Sequence, residues 1–365
     1  MFEDADDGKI IAALIGAGTA VIGILIKDVI IKYIAYILRK RRTANKIFKQ
    51  YRDPLLHAAD SLLWRLDEIL NKVGRGTYLQ DEEQHTPYSQ YKRTSTVYRI
   101  CVLLGWIRAY NRELTSISEL NQKAIYDINN TIRNIQKAFA DGAHVEILKV
   151  KAILKLWSAS FNEDYPNVDE VAAKVDFRIK KHVRNGNKNI AKELNTDNQL
   201  KLIKDIADLL SKEFKCSNLS DELIQETQQR AIEHLSLKEA YLYRDWQSAI
   251  GDMMLIEING DQRKYNVLDF YQFESKYFYE KDYINVWYNR VDKIIANLDP
   301  SKDDKSDLRI AQLQKITQAV SDLVILLLSK DKELKKNYLD SYNLALQITD
   351  KSSSGAGVSL VPGHP

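Results

Sequence analysis

The chain has 365 residues, of which 45% are apolar, and its 53 Lys and Arg stand against 50 Asp and Glu. That length and apolar share suffice for one large or two ordinary domains and exclude a wholly disordered protein. The excess positive charge lies in residues 39–52, which hold seven Lys or Arg and no acid. Because the rest of the chain is near neutral, the charge pattern argues against a generally basic nucleic-acid coat and favours a local electrostatic anchor.

An acidic leader, residues 1–9, precedes the uncharged run IIAALIGAGTAVIGILI at residues 10–26. As a helix this run is about 26 Å long, at about 1.5 Å per residue, close to the ~30 Å hydrocarbon core of a bilayer. The apolar pattern continues further, so the sequence predicts a transmembrane or juxtamembrane helix over residues 10–38. One basic residue, Lys9, precedes this segment, whereas seven follow it within residues 39–52. That order argues against a cleaved signal peptide and predicts an outside N-terminus with the bulk of the chain in the cytoplasm.

Small residues recur within the predicted span. Ala12, Gly16 and Ala20 follow one another at four-residue steps, and Gly23 lies in the neighbouring row. Such rows let helix backbones approach closely in lipid. They predict that several copies of the chain associate through this helix.

Three charged residues, Lys27, Asp28 and Lys32, follow the uncharged run. Two interpretations stay open for them. In the first, the membrane ends near residue 26 and the charges lie on an amphipathic juxtamembrane helix. In the second, associated copies of the chain place these charges around a water-filled pore.

Residues 39–52 form a predicted basic collar, in which four consecutive cations are the predicted lipid contacts: Arg39, Lys40, Arg41 and Arg42. Basic residues at a cytosolic membrane border fix the topology of the span and contact anionic lipid. Nucleic-acid binding is the alternative for this stretch.

Apolar residues recur every three or four positions through most of the remaining chain, which predicts a mainly α cytosolic bundle. Asp53-Pro54 and Thr86-Pro87 each combine a capping residue with a proline, so each predicts a helix start. The pair Asn259-Gly260 between two apolar runs predicts a β-hairpin. The resulting divisions are residues 53–142 (first part of the bundle), 143–238 (a helical insertion or assembly module), 239–346 (second part, with the hairpin at 253–268) and 347–365 (a disordered tail).

Two groups of residues are candidates for ligand binding. Arg178, Lys180, Lys181 and Arg184 precede a glycine turn, where they form either a solvated helix end or a phosphate-binding patch for a nucleotide or short oligonucleotide. Arg244 and Gln247 share a helix face, and Gly251 permits a close backbone approach. This second group either fixes the hairpin onto the bundle or contacts a ligand.

The sequence carries no recognisable catalytic or metal-binding motif. The six histidines include no pair at the spacing of metal ligands, and there is no Walker loop, GxSxG elbow or SxxK motif. We therefore assign no catalytic residue, metal or cofactor. An enzyme whose site is assembled only by the fold stays an alternative. The two cysteines form no disulfide framework, which indicates a reducing compartment.

Two stretches, YRDPLL at residues 51–56 and RDWQSAIGDM at residues 244–253, resemble a bacterial family with one N-terminal transmembrane span and an all-helical cytosolic body. The layout is similar to that of membrane effectors of bacterial anti-phage defence, including the Hailong type. In that type a partner nucleotidyltransferase makes an oligodeoxyadenylate ligand that acts on a tetrameric channel protein. The resemblance implies a homo-oligomer, such as a tetramer, in the bacterial inner membrane, with a nucleotide or oligodeoxynucleotide ligand.

These observations together predict an oligomeric membrane-anchored effector, either an ion channel or a membrane-perturbing protein, that a nucleotide-type ligand controls. The alternative is a membrane-tethered helical scaffold or adaptor that does not conduct ions.

Overall fold

The computed structural model of this chain describes residues 4–71, 79, 86–114, 123–142, 144–157, 168–215, 219–258, 263–279, 284–300, 307–329 and 331–354. Over these residues the protein is mainly α-helical with one antiparallel two-stranded hairpin, which confirms the predicted class of the body. The helices are α1 (Asp4–Asn71), α2 (Pro87–Leu114), α3 (Lys123–Ala140), α4 (Val145–Leu156), α5 (Val168–Asn185), α6 (Thr196–Glu213), α7 (Asp221–Leu235), α8 (Arg244–Met254), α9 (Phe270–Tyr279), α10 (Ile284–Ile295), α11 (Arg309–Ser329), α12 (Lys332–Asn337) and α13 (Leu339–Ser354), and the strands are β1 (Leu255–Glu257) and β2 (Tyr265–Val267).

The first helix, α1, is continuous over 68 residues, or about 100 Å at about 1.5 Å per residue. The helix start predicted at Asp53-Pro54 is therefore wrong, because Pro54 lies inside α1. A proline in a helix interior removes one backbone hydrogen bond and costs about 3 kcal/mol. The side chains of Tyr51, Leu55 and Leu56 around it are fully buried. Each contributes about 1.5–3 kcal/mol through burial, which outweighs the cost of the proline.

The predicted apolar span, residues 10–26, occupies the N-terminal part of α1, where the structure describes the backbone and not the side chains. Among the residues that are fully described, no helix combines the length and the apolar character that crossing a membrane requires.

The second predicted helix start is confirmed. The backbone N–H of Ser89 donates a hydrogen bond to Thr86 Oγ1 at 3.2 Å, and α2 begins at Pro87. Threonine thus satisfies one of the N–H groups that the first turn of a helix leaves unpaired.

The larger of two hydrophobic cores defines what we call the body. Its buried residues fall within 47–139 and 242–345 and come from α1, α2, α3, α8, α9, α10, α11, α13 and the hairpin. The C-terminal half of α1 packs between α2 and α11. This half of α1 therefore belongs to the body and fixes the direction in which the rest of the helix leaves it.

The hairpin confirms the Asn-Gly prediction, although its turn lies outside the described residues. β1 and β2 are antiparallel, with Ile256 opposite Asn266. They pack against α2 at Gly105, where a Cβ atom would lie 3.2 Å from Val267 Cγ2 of β2 and 2.9 Å from Cβ of Met254, the last residue of α8. A side chain at position 105 would therefore separate α2 from the hairpin.

A second hydrophobic core, within residues 150–235, defines what we call the module. It consists of α4, α5, α6 and α7, in which α4 packs on both α5 and α7. Its extent coincides with the segment 143–238 that the sequence sets apart.

The module joins the body through two connections that lie side by side. The backbone N–H of Leu242, in the second connection, donates to the carbonyl oxygen of Phe139 at 2.8 Å. Gly142, in the first connection, lies so close to Glu239 that a Cβ atom at position 142 would overlap the Glu239 carboxylate. The two connections thus meet at one junction.

The C-terminal part of the chain departs from the predicted disordered tail, because α13 continues to Ser354. Ala345 is fully buried, and Ile348 packs on the body core. The hydroxyl of Thr349 accepts a hydrogen bond from Gln318 Nε2 at 3.1 Å. These contacts with α11 extend the helix beyond the predicted boundary, and residues 355–365 lie outside the described residues.

Candidate functional site

A cleft of about 730 Å³ lies at the junction of module and body. Its volume falls in the range of about 300–1,000 Å³ that is typical of small-molecule sites. The module contributes residues of α4 and α5, and the body contributes the second connection together with residues of α8, α10 and α11. We call this space the junction cleft.

The module wall of the cleft is charged. The ammonium group of the buried Lys149 lies 3.5 Å from Asp176, and that of the exposed Lys180 lies 2.5 Å from the same carboxylate. Burial lowers the pKa of Lys149, although the Asp176 carboxylate opposes that shift. Two cations, Lys149 and Lys180, and two acids, Asp176 and Glu146, line this wall, so its charges balance.

The body wall is aromatic. The Tyr243 ring lies edge-on against both Tyr241 and Trp246, with ring centroids 5.0 and 4.7 Å apart. The Arg290 guanidinium lies 3.8 Å from the centroid of Trp246 and 4.2 Å from that of Trp287. Aromatic rings and guanidinium planes are the surfaces on which proteins stack planar groups such as nucleobases.

One nitrogen of Arg290 has no hydrogen-bond acceptor among the described residues. This nitrogen, Nη1, is buried. A buried donor without a partner costs about 1–3 kcal/mol, and more when it is charged. An acceptor atom of a bound ligand would remove that cost.

Beneath these walls lies a buried ion pair. Two guanidinium nitrogens of Arg309 donate to the two carboxylate oxygens of Asp307 at 2.8 and 2.6 Å, and both side chains are only 7% exposed. The third nitrogen, Nη1, donates to the backbone carbonyl oxygens of Lys293 and Ala296 at 3.0 and 2.6 Å. The backbone N–H of Leu308 donates to the carbonyl oxygen of Lys238 at 3.0 Å, so this pair also fixes the second connection to α11.

The charges around the cleft complete its chemistry. Six lining residues are cations and three are acids. Lys238, Arg290 and Lys293 form no ion pair with any carboxylate in the described part of the chain. The junction cleft therefore combines a net positive charge with aromatic rings, as a ligand with phosphate groups and a planar ring would require.

The structure separates the four predicted cations of α5. Lys180 lines the junction cleft. Arg178 faces α6, where its Nη1 atom donates to Asp205 at 2.8 Å. Lys181 and Arg184 are exposed and do not line the cleft. Because consecutive helical residues differ by about 100° in direction, a run of cations cannot form one surface.

The second predicted group is also divided. Arg244 is exposed, whereas Gln247 is buried and its Nε2 atom donates to the carbonyl oxygens of Gln136 and Leu242 at 2.9 and 2.8 Å. Gly251 packs against α2, where a Cβ atom would lie 2.7 Å from Arg108 Cβ. Gln247 thus joins α3 to the start of α8, directly behind the aromatic wall.

Outside the cleft, α1 carries a second notable surface. Seven large apolar side chains within ten residues are exposed: Val29, Ile30, Ile31, Tyr33, Ile34, Tyr36 and Leu38. Lys27 and Lys32 beside them are also exposed, as are Arg39 and Arg42, whereas Lys40 is half-buried beside Tyr36. The side chains of Ala12, Gly16, Ala20, Gly23, Asp28 and Arg41 lie outside the described residues.

Most residues of the cleft could not be predicted from the sequence, because they are far apart in the chain. Trp246 and Arg290 stack across 44 positions, and no local pattern connects them. Lys149 does leave a signal, since it lies between Val145 and Ile153 on a helix face whose other members are apolar and buried. A lone lysine on such a face could have been singled out as a buried charge.

The described residues thus form a mainly helical protein with a body, a module and a cleft between them. They include no group of three His, Cys, Asp or Glu side chains that could hold a metal ion. Comparisons of the chain with protein-family models, with curated proteins and with solved structures give no match.

Proposed function

We propose that this protein is a membrane-anchored effector that acts as a homo-oligomer, such as a tetramer, and that a nucleotide-type ligand in the junction cleft controls how α1 conducts ions or perturbs the membrane. The observation that carries the proposal is the continuity of α1. One helix holds the exposed apolar residues 29–38 and, from Ile47 onwards, belongs to the body core.

The apolar residues 29–38 support membrane contact. At about 100° per residue they cover about 220° of the helix circumference, which is wider than the ~100° apolar stripe of an amphipathic surface helix, and the remaining sector holds Lys32 and Arg39. Covering seven such side chains with lipid or with sister helices is worth roughly 10 kcal/mol. We place residues 10–38 in the bacterial inner membrane, with the N-terminus outside and the body in the cytoplasm.

Self-association supplies the pore. One helix encloses no channel, so conduction requires several copies, and the row Ala12, Gly16, Ala20 with Gly23 is suited to close contact between them. In such an assembly Lys27, Asp28 and Lys32 line a water-filled opening, with the collar residues 39–42 at the headgroup level.

The junction cleft supplies the control. A ligand whose phosphates contact Lys149 and Lys180 and whose base stacks beside Trp246 would draw the module towards the body. The chain connects the two units at the junction near Gly142 and Leu242, so binding would reposition the module relative to α1 in the assembly. By the resemblance described above, the ligand class is a nucleotide or an oligodeoxynucleotide made by a partner nucleotidyltransferase.

Recording from planar bilayers that contain the purified full-length protein tests this function. We expect a current that changes when ATP, dATP or a short oligodeoxyadenylate is added, and a K27L/K32L variant that assembles normally but has an altered conductance. Absence of current under every condition that preserves the oligomer would contradict the proposal.

A membrane-tethered scaffold is the second candidate. It is favoured by the separate module, whose own core would let it serve as a domain that recruits partner proteins. Replacing residues 1–38 with an unrelated single span distinguishes the two. A scaffold would keep its cellular effect in the chimaera, whereas a channel would lose it.

A further inference from the structure

A groove of about 690 Å³ lies between α1 and the start of β2, away from the junction cleft. Arg42, Lys46, Lys49 and Asp53 line it from α1, and Arg263 lines it from the hairpin. We call it the basic groove.

The cations of this groove lack acidic partners. Its carboxylate, Asp53, already accepts a hydrogen bond from Arg52 Nε at 2.8 Å. Among the described residues, none of the four cations forms an ion pair with a carboxylate. The groove therefore holds four uncompensated positive charges, which a multivalent anion such as a phosphate would neutralise.

The tertiary structure places these charges together. Positions 42, 46, 49 and 53 recur at steps of four, three and four, so they follow one face of α1. Arg263 comes from a distant part of the chain, and its guanidinium lies 5.0 Å from the centroid of Trp106. This contact holds the Arg263 side chain against α2, a fixed element of the body.

The groove lies next to the exposed apolar residues 29–38 of α1. Arg42 follows Leu38 by four residues, which is about 6 Å along the helix axis. If the exposed apolar residues contact the hydrocarbon region, the Arg42 end of the groove lies at the depth of the lipid phosphates. No aromatic residue of the described chain lines it, so a nucleobase would find no ring there on which to stack.

We infer that the basic groove binds the phosphate of an anionic phospholipid and thereby holds the hairpin side of the body against the membrane surface. The inference rests on the proposed membrane anchoring. It joins Lys46 and Lys49, which belong to the basic segment predicted at residues 39–52, to Arg263, which lies outside that segment.

Native mass spectrometry of the full-length protein, released from micelles that contain phosphatidylglycerol or phosphatidylcholine, tests this inference. We expect the wild-type protein to retain phosphatidylglycerol preferentially. Each cation near an anionic surface changes affinity about fivefold, so we expect K46Q/K49Q/R263Q to lose that retention on the order of 100-fold. The variant K151Q/K155Q/R230Q removes the same charge from exposed positions of the module and should behave as the wild type does.

The charge-conserving variant K46R/K49R/R263K should keep the retention, and thermal unfolding in the same micelles establishes that each variant is folded. Equal retention by the wild type and K46Q/K49Q/R263Q, or no preference for phosphatidylglycerol, would overturn the inference. Displacement of the lipid by millimolar inorganic phosphate would overturn the lipid assignment in favour of a free anion. Selective retention of phosphatidylglycerol without any bilayer current would support lipid binding by the basic groove and contradict only the proposed channel function.

Discussion

Replacing Arg309 by methionine should strongly destabilise the body, because Arg309 is the centre of a buried polar network. The substitution removes both hydrogen bonds to Asp307 and both bonds to the carbonyl oxygens of Lys293 and Ala296. It also leaves the Asp307 carboxylate, 7% exposed, without its counter-charge. Removing one partner of a buried pair costs about 3–5 kcal/mol.

A double substitution distinguishes the cost of the uncompensated charge from the cost of the lost hydrogen bonds. In D307N/R309M no uncompensated charge is left, and the introduced amide oxygen at position 307 can still accept from the backbone N–H of residue 309, as Asp307 does at 3.2 Å. The two carbonyl oxygens still lack their donor, at about 1–3 kcal/mol for the unsatisfied groups. We therefore expect the double variant to be more stable than R309M by about 2 kcal/mol.

Urea unfolding of the full-length protein in detergent, followed by tryptophan fluorescence, measures these differences. Trp157 belongs to the module core, whereas the other four tryptophans belong to the body, so a W157F background reports on the body alone. If R309M lowered the free energy of unfolding by less than about 1 kcal/mol, or if the double variant were the less stable of the two, the network would not be organised as described.

Three further outcomes follow from the structure. G251A should lower the free energy of unfolding by about 1–2 kcal/mol, because its Cβ atom would lie 2.7 Å from Arg108 Cβ and overpacking outweighs the gain in helix propensity; an unchanged urea midpoint would contradict this. Burial lowers the pKa of His234 in the folded protein from its usual 6.5. As the pH falls through that value the unfolded chain binds a proton before the folded one does, so the free energy of unfolding should decrease until the lowered pKa is reached. The decrease should be smaller in H234Q, and identical pH profiles of the two proteins would contradict this prediction. Burial also raises the pKa of the Cys101 thiol, so a C216S variant should resist iodoacetamide until it unfolds, and alkylation of the native protein would be inconsistent with that burial.

Local patterns determined most of the secondary structure. The three- and four-residue recurrence of apolar side chains predicts the helices of body and module, because a helix places such residues on one face whatever lies elsewhere in the chain. The Thr86 cap and the Asn-Gly hairpin are likewise set by neighbouring residues. The same local rule failed at Pro54, where the burial of residues on both sides keeps α1 continuous.

Contacts between distant residues decided the candidate sites. Of the six predicted ligand-binding residues, Lys180 lines the junction cleft, whereas Gln247 supports the aromatic wall from behind. The wall itself needs Trp246 to meet Arg290, and the basic groove needs Arg263 to meet α1. A sequence specifies which residues are charged or aromatic. Only the packing of the two cores determines which of them face the same space, since that depends on contacts between residues far apart in the chain.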